Sequence, residues 1–465
     1  MLVFNAQAVL KPFCKKYIIM RFSLVRMRFS LVRAQVSQRL SIVNFVPGVL
    51  ALFPLLWSGQ GRCLAVPGQT ARKGAPVSTV DQPKRFLLAH YMPWYASKTI
   101  SGQWGWHWTM NHFDPDKAEG PQGAGQPTRP QGASRFRPLI GLYDSGDPDT
   151  LKCQVMLMKL AGIDGVIIDW YGTENFYDYA TLNRNTLQLI PLLQQAGLRF
   201  AVCYEDQSVA QMVTGKRFAA DEAVARGQRL MEWMQKNFFS NPAYLDVDGH
   251  PLLLSFGEPY YKDAQWNDLF SVLPTKPLYL TEHVIRAQTA ASGGFDWPVP
   301  NGGLEGALKE QNDFYERAKG WPLFTAAAYP RFQDIYAQAG VHPSWGSISI
   351  EDREGRTYSQ TLTRALQSSA SIVQLVTWND WGEGTQIEPS VEFGYRDLEE
   401  TQKLRRQYLD LKFSPTAADL RLPVEWYRLK KRAASKKASD RLDAFFHLVA
   451  SGRINEARSL LPKTP

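Results

Sequence analysis

The chain has 465 residues, of which 44% are hydrophobic and 12% aromatic. This composition supplies enough apolar surface for a large core and excludes a chain that is disordered over most of its length. The formal net charge of +9 comes from residues 1–65, which carry nine basic side chains and no acidic one. Residues 66–465 therefore have no net charge, which argues against a nucleic-acid partner.

The first 65 residues have the pattern of an export segment. Basic residues up to Arg39 precede an apolar run from Leu40 to Trp57, and small residues near Ala65 suit a cleavage site. We expect a periplasmic or extracellular protein that meets the membrane only during export. The alternative is an uncleaved anchor, because the run approaches the length of a membrane span. Since residues 20–26 are repeated as 27–33, Met20 and Met27 are both candidate start residues.

Composition divides the rest of the chain into three parts. Residues 66–84 are rich in Pro, Gly and small polar side chains and predict a flexible linker. Residues 85–412 are predicted to form one catalytic domain. Residues 413–465 predict a helical extension, with a polar connection at Pro415–Leu429 and a helical hairpin around Gly452.

Short apolar runs alternate with amphipathic helices from Phe86 onward. The predicted strands are Phe86–Tyr91, Gly165–Trp170, Arg199–Tyr204, Pro251–Phe256, Pro277–Thr281, Gly294–Trp297, Leu323–Tyr329 and Ile372–Trp378, and helices are predicted at Pro148–Ala161, Thr181–Ala196 and Asp221–Asn237. Eight strands alternating with helices predict a (β/α)8 TIM barrel. The alternative is a doubly wound open sheet, because the fifth connection is too short for a crossover helix.

Acidic and aromatic residues follow most of the predicted strands. In a barrel of parallel strands these positions share the face on which active sites lie. Sugar rings bind to aromatic platforms flanked by carboxylates and amides, so the pattern predicts an oligosaccharide or polysaccharide partner. The candidate substrate contacts are Tyr91, Trp94, Tyr95, Asp169, Trp170, Tyr204, Glu205, Glu258 and Tyr329.

A tryptophan-rich loop follows the first strand. Trp104, Trp106, His107, Trp108 and His112 fall within nine residues, among Gly, Gln and Asn. We predict that Trp106, His107, Trp108 and His112 line the substrate site. The alternative is a cluster that packs loops together.

The last predicted strand leads directly into a pair of acids. Trp378, Asn379 and Trp381 surround Asp380, and Glu383 stands between two glycines. Paired carboxylates among aromatic groups suit the cleavage of glycosidic bonds, so we predict Asp380 and Glu383 to be catalytic and the other three to contact substrate. The two acids converge only if the chain turns after Asp380. The alternative is a capping box, with Asp380 as the N-cap of a helix.

Five motifs carry a resemblance to a known family. They are His90–Tyr95, His112–Pro115, Tyr143–Pro148, Gly165–Tyr171 and Trp378–Pro389, within a likeness that spans about residues 86–410. The chain resembles the glycoside hydrolase family 99 endo-α-mannosidases and endomannanases. The segment Trp378–Glu383 is also similar to the family 71 α-1,3-glucanases.

This resemblance implies a (β/α)8 barrel that acts on α-linked glycans with Asp380 and Glu383 as its acid pair. It also implies that Glu205 lies near the 2-hydroxyl of the substrate. The chain departs from family 99 in carrying Asp380 where that family has Glu and Gly382 where it has His. We expect Glu383 to be the general acid and Asp380 the base, in either a retaining or an inverting reaction.

The sequence thus predicts an exported, monomeric glycoside hydrolase for α-mannan or α-glucan. The alternative is a sugar-binding barrel without catalysis. No cofactor and no metal are expected, because no Cys/His spacing is typical of a zinc site. Cys153 and Cys203 are expected to be buried free thiols.

Overall fold

The protein is described by a computed structural model that covers residues 85–117, 132–257, 259–286, 288–341, 348–433 and 435–461. The predicted export segment, residues 1–65, and the predicted linker, residues 66–84, lie outside the described residues.

Eight parallel strands form a closed barrel. With the short β4, which lies outside the ring, the strands in chain order are β1 Phe86–Tyr91, β2 Gly165–Trp170, β3 Arg199–Tyr204, β4 Asp246–Val247, β5 His250–Ser255, β6 Leu278–Glu282, β7 Gly293–Phe295, β8 Leu323–Ala328 and β9 Ile372–Leu375. Their order is β3-β2-β1-β9-β8-β7-β6-β5, and pairing between β3 and β5 closes the ring. The short β4 pairs antiparallel with β5 alone. The predicted barrel is confirmed, and the open sheet is wrong.

Helices follow the strands around the barrel. They are α1 Lys98–Ser101, α2 Trp106–Thr109, α3 Pro148–Ala161, α4 Tyr179–Gln195, α5 Gln207–Thr214, α6 Ala223–Met234, α7 Asp263–Phe270, α8 Gly303–Ala318, α9 Tyr336–Ala339, α10 Arg356–Gln367 and α11 Arg396–Tyr408. Helix α3 has its predicted bounds, and the Asp147 side chain accepts a hydrogen bond from the Asp149 N–H at 3.1 Å. Residues 283–286 and 288–292, between β6 and β7, contain no helix.

Strand residues alternate between the inside of the barrel and the layer between strands and helices. At the end of β2, Trp170 stacks on Trp233 of α6 with ring centroids 5.6 Å apart, so its side chain faces outward. Its neighbour Asp169 lies inside, with a carboxylate oxygen close to His90 of β1 and Cys203 of β3. Because all six residues of β2 are buried, both layers belong to the core.

The carboxyl-terminal extension packs as helices on α3. It contains α12 Leu422–Arg432, α13 Lys436–Ala450 and α14 Ile454–Leu460. Lys152 forms an ion pair with Asp443 at 3.0 Å, and the Trp426 Nε1–H donates to the Leu442 carbonyl at 2.6 Å. The predicted hairpin is present, but the predicted polar connection is wrong because α12 occupies most of it and buries Trp426.

Among the helices of the described residues, none is both long enough and apolar enough to cross a bilayer.

A buried arginine joins the loop after β8 to the outer helices. Arg331 is fully buried, its Nε–H donates to Asp352 at 3.0 Å, and its Nη1–H donates to the Gln386 carbonyl at 2.8 Å. It also pairs with the buried Asp397, and its guanidinium lies 3.8 Å from the centre of the Phe393 ring. All the hydrogen bonds of this guanidinium are therefore made inside the protein, although Arg331 stands only two residues after the candidate substrate contact Tyr329.

We predict that Arg331→Met strongly destabilises the protein. The variant removes the buried partner of the Asp397 carboxylate and leaves only the more exposed Arg396 beside it, and breaking such a buried pair costs up to about 3–5 kcal/mol. Urea unfolding followed by circular dichroism measures the change. Lys309→Met, which removes a solvent-exposed ion pair with Asp313, should unfold at the wild-type urea concentration. Equal midpoints for the two variants would contradict the argument.

Candidate active site

The chain turns sharply at the carboxyl end of β9. The Thr377 N–H donates to the Thr385 carbonyl at 3.0 Å, and the Ile387 N–H donates back to the Thr377 carbonyl at 2.9 Å. These bonds close residues 378–386 into a loop, which we call the acid loop. Gly384 in this loop has a φ of +69°, a conformation that glycine adopts without strain.

The acid loop brings Asp380 and Glu383 together. The Oδ1 atom of Asp380 accepts a hydrogen bond from the Glu383 N–H at 3.0 Å, and the Asp380 N–H donates to Thr377 Oγ1 at 2.7 Å. Asp380 is 4% exposed, whereas Glu383 is half-buried. Residues 381–384 form a turn and no helix begins among residues 385–395, so the helix of the capping-box alternative is absent. The predicted turn after Asp380 is confirmed.

The loop after β1 is hydrogen-bonded to the acid loop. Asn379 accepts from the Met92 N–H at 2.8 Å and donates to the Met92 carbonyl at 3.0 Å. The Tyr95 hydroxyl donates to the Asn379 carbonyl and accepts from the Trp381 N–H, both at 3.0 Å. The backbone is therefore fixed on both sides of Asp380 by polar groups with little exposure to water.

A third carboxylate, from Glu388, supports the acid loop from inside the protein. Glu388 accepts hydrogen bonds from the Tyr143 hydroxyl at 2.8 Å and from Gln154 Nε2 at 2.7 Å. The same Tyr143 hydroxyl accepts from Asn379 Nδ2 at 3.0 Å and from Trp381 Nε1 at 3.1 Å. Burial raises the pKa of Glu388 to about 7, although its hydrogen bonds act in the opposite direction.

One wall of the site comes from two other loops. The Ile335 N–H donates to the Gly382 carbonyl at 3.0 Å, and a Cβ atom at residue 382 would lie 3.0 Å from Met110 Cε and 3.4 Å from Tyr336 Cε1. Met110 and Ile335 belong to a small apolar cluster that also includes Phe113. Glycine at 382 therefore lets this cluster approach the acid loop closely.

Aromatic and acidic side chains from neighbouring strands complete the mouth of the barrel. Trp94 stacks on His107 with ring centroids 4.0 Å apart, and the Nε2 atom of His107 lies 3.3 Å from a carboxylate oxygen of Asp178. Glu205 follows β3 and is 6% exposed. Trp297 follows β7, is 6% exposed, and meets the His90 ring edge to face at 4.8 Å. The arrangement combines carboxylates and aromatic rings at one face.

Comparison with known proteins identifies the family. The sequence profile of Glycosyl hydrolase family 99 matches residues 83–279 and 317–431, about two thirds of the chain. The chain belongs to glycosyl hydrolase family 99. The predictions of a family 99-like protein and of a glycoside hydrolase for α-linked glycans are thereby confirmed.

Individual members of family 99 are distant relatives of this chain. Glycoprotein endo-alpha-1,2-mannosidase of Mus musculus is 23% identical over 330 residues, covering 66% of this chain and 68% of the mouse protein. The Rattus norvegicus protein of the same name is 24% identical over 329 residues, with the same coverage. A solved GH99 endo-alpha-mannosidase from Bacteroides thetaiotaomicron is 21% identical and covers 75% of this chain and 98% of its own, with a TM-score of 0.49.

Several predicted substrate contacts in this family 99 protein are core residues. Tyr91, Trp170 and Tyr204 are the last residues of their strands, and their side chains pack against the helices. Because side chains alternate along a strand, the preceding residue of each strand faces the barrel interior instead. Trp108 donates from Nε1 to the Tyr143 carbonyl at 2.7 Å and is fully buried. The predictions for these four are wrong, and for Trp108 the packing alternative is correct.

The motif residues themselves mostly support the acids. The side chains of Tyr95, Asn379 and Trp381 are used in the hydrogen bonds described above, so their predicted contact with substrate is wrong. Trp378 and Tyr329 are also buried, with 0% and 1% exposure. Each is enclosed by protein where the sequence predicts an open platform.

The remaining predicted contacts fall into three groups. Trp94, His107, Asp169 and Glu205 lie at the carboxyl ends of β1 to β3 or in the β1 loop, and Trp106 is half-buried against the Met110 cluster. His112 is exposed and packs only against Phe113 among aromatic rings of the described residues. Glu258 lies outside the described residues.

Trp297 is a residue of the barrel mouth that the sequence pattern did not reveal. It stands two residues beyond β7, a short strand of Gly293, Gly294 and Phe295. The predicted strand, Gly294–Trp297, runs two residues past the end of β7, so Asp296 and Trp297 were counted as part of the strand and no site residue was predicted after it. The rule that active-site residues follow barrel strands selects Asp296 and Trp297 once the end of β7 is known.

We predict that Glu388 makes the protein less stable as the pH rises. Its folded-state pKa of about 7 exceeds the unfolded value near 4.5, so its contribution is complete below about pH 4.5 and is lost as the pH rises through 7. The loss is about 3 kcal/mol. Urea unfolding of wild type and Glu388→Gln between pH 4.5 and 8 measures it.

Asp206 and Asp296 also have pKa values raised by burial to about 7, and they add slopes of the same sign in both proteins. The difference between the two pH profiles therefore isolates Glu388. Glu392→Gln, at an exposed carboxylate, should keep the wild-type slope. Parallel profiles for wild type and Glu388→Gln would show that residue 388 does not titrate in this range.

Proposed function

We propose that this family 99 enzyme hydrolyses α-linked glycans that contain mannose, using Asp380 and Glu383. The observation that carries the proposal is the acid loop, in which a hydrogen bond from the Glu383 N–H to Asp380 Oδ1 joins the two acids at the barrel mouth. The related mouse and rat proteins are named endo-alpha-1,2-mannosidases, which supports mannose as the sugar.

The environments of the two acids suggest different roles. Glu383 is half-buried and follows Gly382, a position close to Met110 and Tyr336, and from there we propose that it reaches the oxygen of a leaving sugar. Asp380 is 4% exposed and held by its backbone and by Oδ1, so its carboxylate has little freedom to reorient. We assign Glu383 as general acid and Asp380 as base.

The identity of the atom that loses its proton to Asp380 defines two routes. In a retaining route Asp380 removes the proton of the 2-hydroxyl of the sugar, whose oxygen attacks the neighbouring anomeric carbon and forms an anhydro sugar. In an inverting route Asp380 removes a proton from water, which attacks the anomeric carbon directly. In both routes Glu383 gives its proton to the leaving oxygen. Glu205, which follows β3, is the proposed partner of the 2-hydroxyl.

We expect Glu383→Gln and Asp380→Asn each to lower kcat by about 10²- to 10⁴-fold, the usual contribution of a general acid or base. Asparagine at 380 keeps an oxygen for the Glu383 N–H bond, so this loss reports proton transfer and not the shape of the loop. The assay uses α-1,2-, α-1,3- and α-1,6-linked manno- and gluco-oligosaccharides, with NMR of the first anomer released.

Matched controls are Glu392→Gln and Asp440→Asn, which remove carboxylates from exposed positions. They should retain wild-type turnover. Full activity of Glu383→Gln would exclude it as the acid. Binding of the oligosaccharides by wild type without any turnover would favour the sugar-binding alternative, and turnover of the gluco-oligosaccharides alone would assign the enzyme to α-glucan.

We also propose that the enzyme is exported and acts as a monomer in the periplasm or outside the cell. The basic residues up to Arg39 and the apolar run at Leu40–Trp57 support this proposal. After expression in a Gram-negative host, mass spectrometry of protein in the periplasm should find a first residue near Val66. Recovery of the uncut chain from the membrane fraction would instead support the anchor.

A further inference from the structure

Three side chains of different chemistry meet inside the barrel. His90 of β1, Asp169 of β2 and Cys203 of β3 each offer one ligand atom, and these atoms all lie within 4.8 Å of one another. The parallel register places Asp169 opposite Cys203, while β1 pairs with the other edge of β2. Each side chain is at most 2% exposed. An imidazole, a carboxylate and a thiol therefore converge in a buried space.

This set of donors suits one class of cation. Thiolate and imidazole ligands favour Zn²⁺, Co²⁺ and Cd²⁺, whereas Mg²⁺ and Ca²⁺ prefer sites made entirely of oxygen. Protein ligands lie about 2.0–2.3 Å from a zinc ion, which places them about 3.3–3.8 Å apart around a tetrahedron. Because the atoms of this cluster are already within 4.8 Å, small side-chain rotations bring them to that spacing.

The hydrogen bonding of the histidine also suits metal binding. The Nδ1 atom of His90 is buried and has no hydrogen-bond partner within the described part of the chain. A buried polar atom without a partner is costly, and a bound cation would satisfy it.

We propose that His90, Asp169 and Cys203 form a binding site for a divalent cation of the zinc class. On binding, the Cys203 S–H proton is released to solvent and a sulfur–metal bond forms, with no change in oxidation state. Three protein ligands leave the fourth position of a tetrahedral ion for water. The site does not depend on the proposed substrate or on the roles of Asp380 and Glu383.

Local spacing could not reveal this site. Its ligands lie on three separate strands, so no short Cys/His motif connects them. The sequence-based expectation of no metal considered only such motifs. Strand register, not sequence proximity, brings the three residues together.

Cobalt binding to the full chain, after removal of metals with EDTA, tests the proposal. A Co²⁺ ion bound to thiolate absorbs strongly in the near ultraviolet, so the probe reports directly on sulfur. We expect one such ion per chain in wild type and in a Cys14→Ser/Cys63→Ser/Cys153→Ser variant, in which Cys203 is the only thiol. Cys203→Ser should lose the band, and His90→Gln or Asp169→Asn should weaken binding at least tenfold.

X-ray absorption of the zinc-loaded Cys203-only variant provides a second readout that needs no change at the site. One sulfur at about 2.3 Å, with nitrogen and oxygen neighbours, is the expected shell. Circular dichroism shows whether each variant is folded. A band that persists in Cys203→Ser, or a zinc shell without sulfur, would overturn the proposal and leave a buried polar cluster only.

Discussion

The candidate site depends on the polar contact between the loop after β1 and the acid loop. Asn379 pairs with both backbone groups of Met92, and the Tyr95 hydroxyl joins the peptides on either side of Asp380. These bonds connect the two ends of a chain segment of nearly 290 residues, so they form only when the barrel closes. The position of Asp380 is therefore a property of the whole barrel and not of its local motif.

Most residues of the motif around Asp380 and Glu383 hold the two acids in place. Its two indoles and its amide face the protein, where Tyr143 accepts hydrogen bonds from both Asn379 and Trp381. Glu388 then accepts a hydrogen bond from Tyr143 and completes the network. Buried polar groups that are fully hydrogen-bonded rigidify a structure. In this site they immobilise the backbone that carries Asp380 and Glu383, which suits the catalytic roles proposed for these two acids.

The barrel was predictable from sequence because apolar residues recur with a different spacing in its strands and in its helices. Strands β1, β2 and β3 and helix α3 have their predicted bounds, since each is an uninterrupted apolar or amphipathic run. The turn that joins Asp380 to Glu383 was predictable from its glycines. The direction in which each strand side chain points was not predictable. A six-residue strand that is buried on both sides has no alternation of polar and apolar residues to show which ones face the barrel interior.

The sequence did not show which residues of each strand face the barrel interior. This explains both the wrong substrate contacts and the unexpected polar cluster. A shift of one residue exchanges Trp170 for Asp169 and Tyr204 for Cys203 at the barrel interior. The sequence suggested aromatic side chains at the strand ends, whereas the interior receives an acid and a thiol beside His90. Aromatic rings at the mouth of the barrel therefore come from residues beyond the strands, such as Trp94, His107 and Trp297. The loops thus supply the aromatic side chains of the candidate site, while the strands determine the chemistry of its floor.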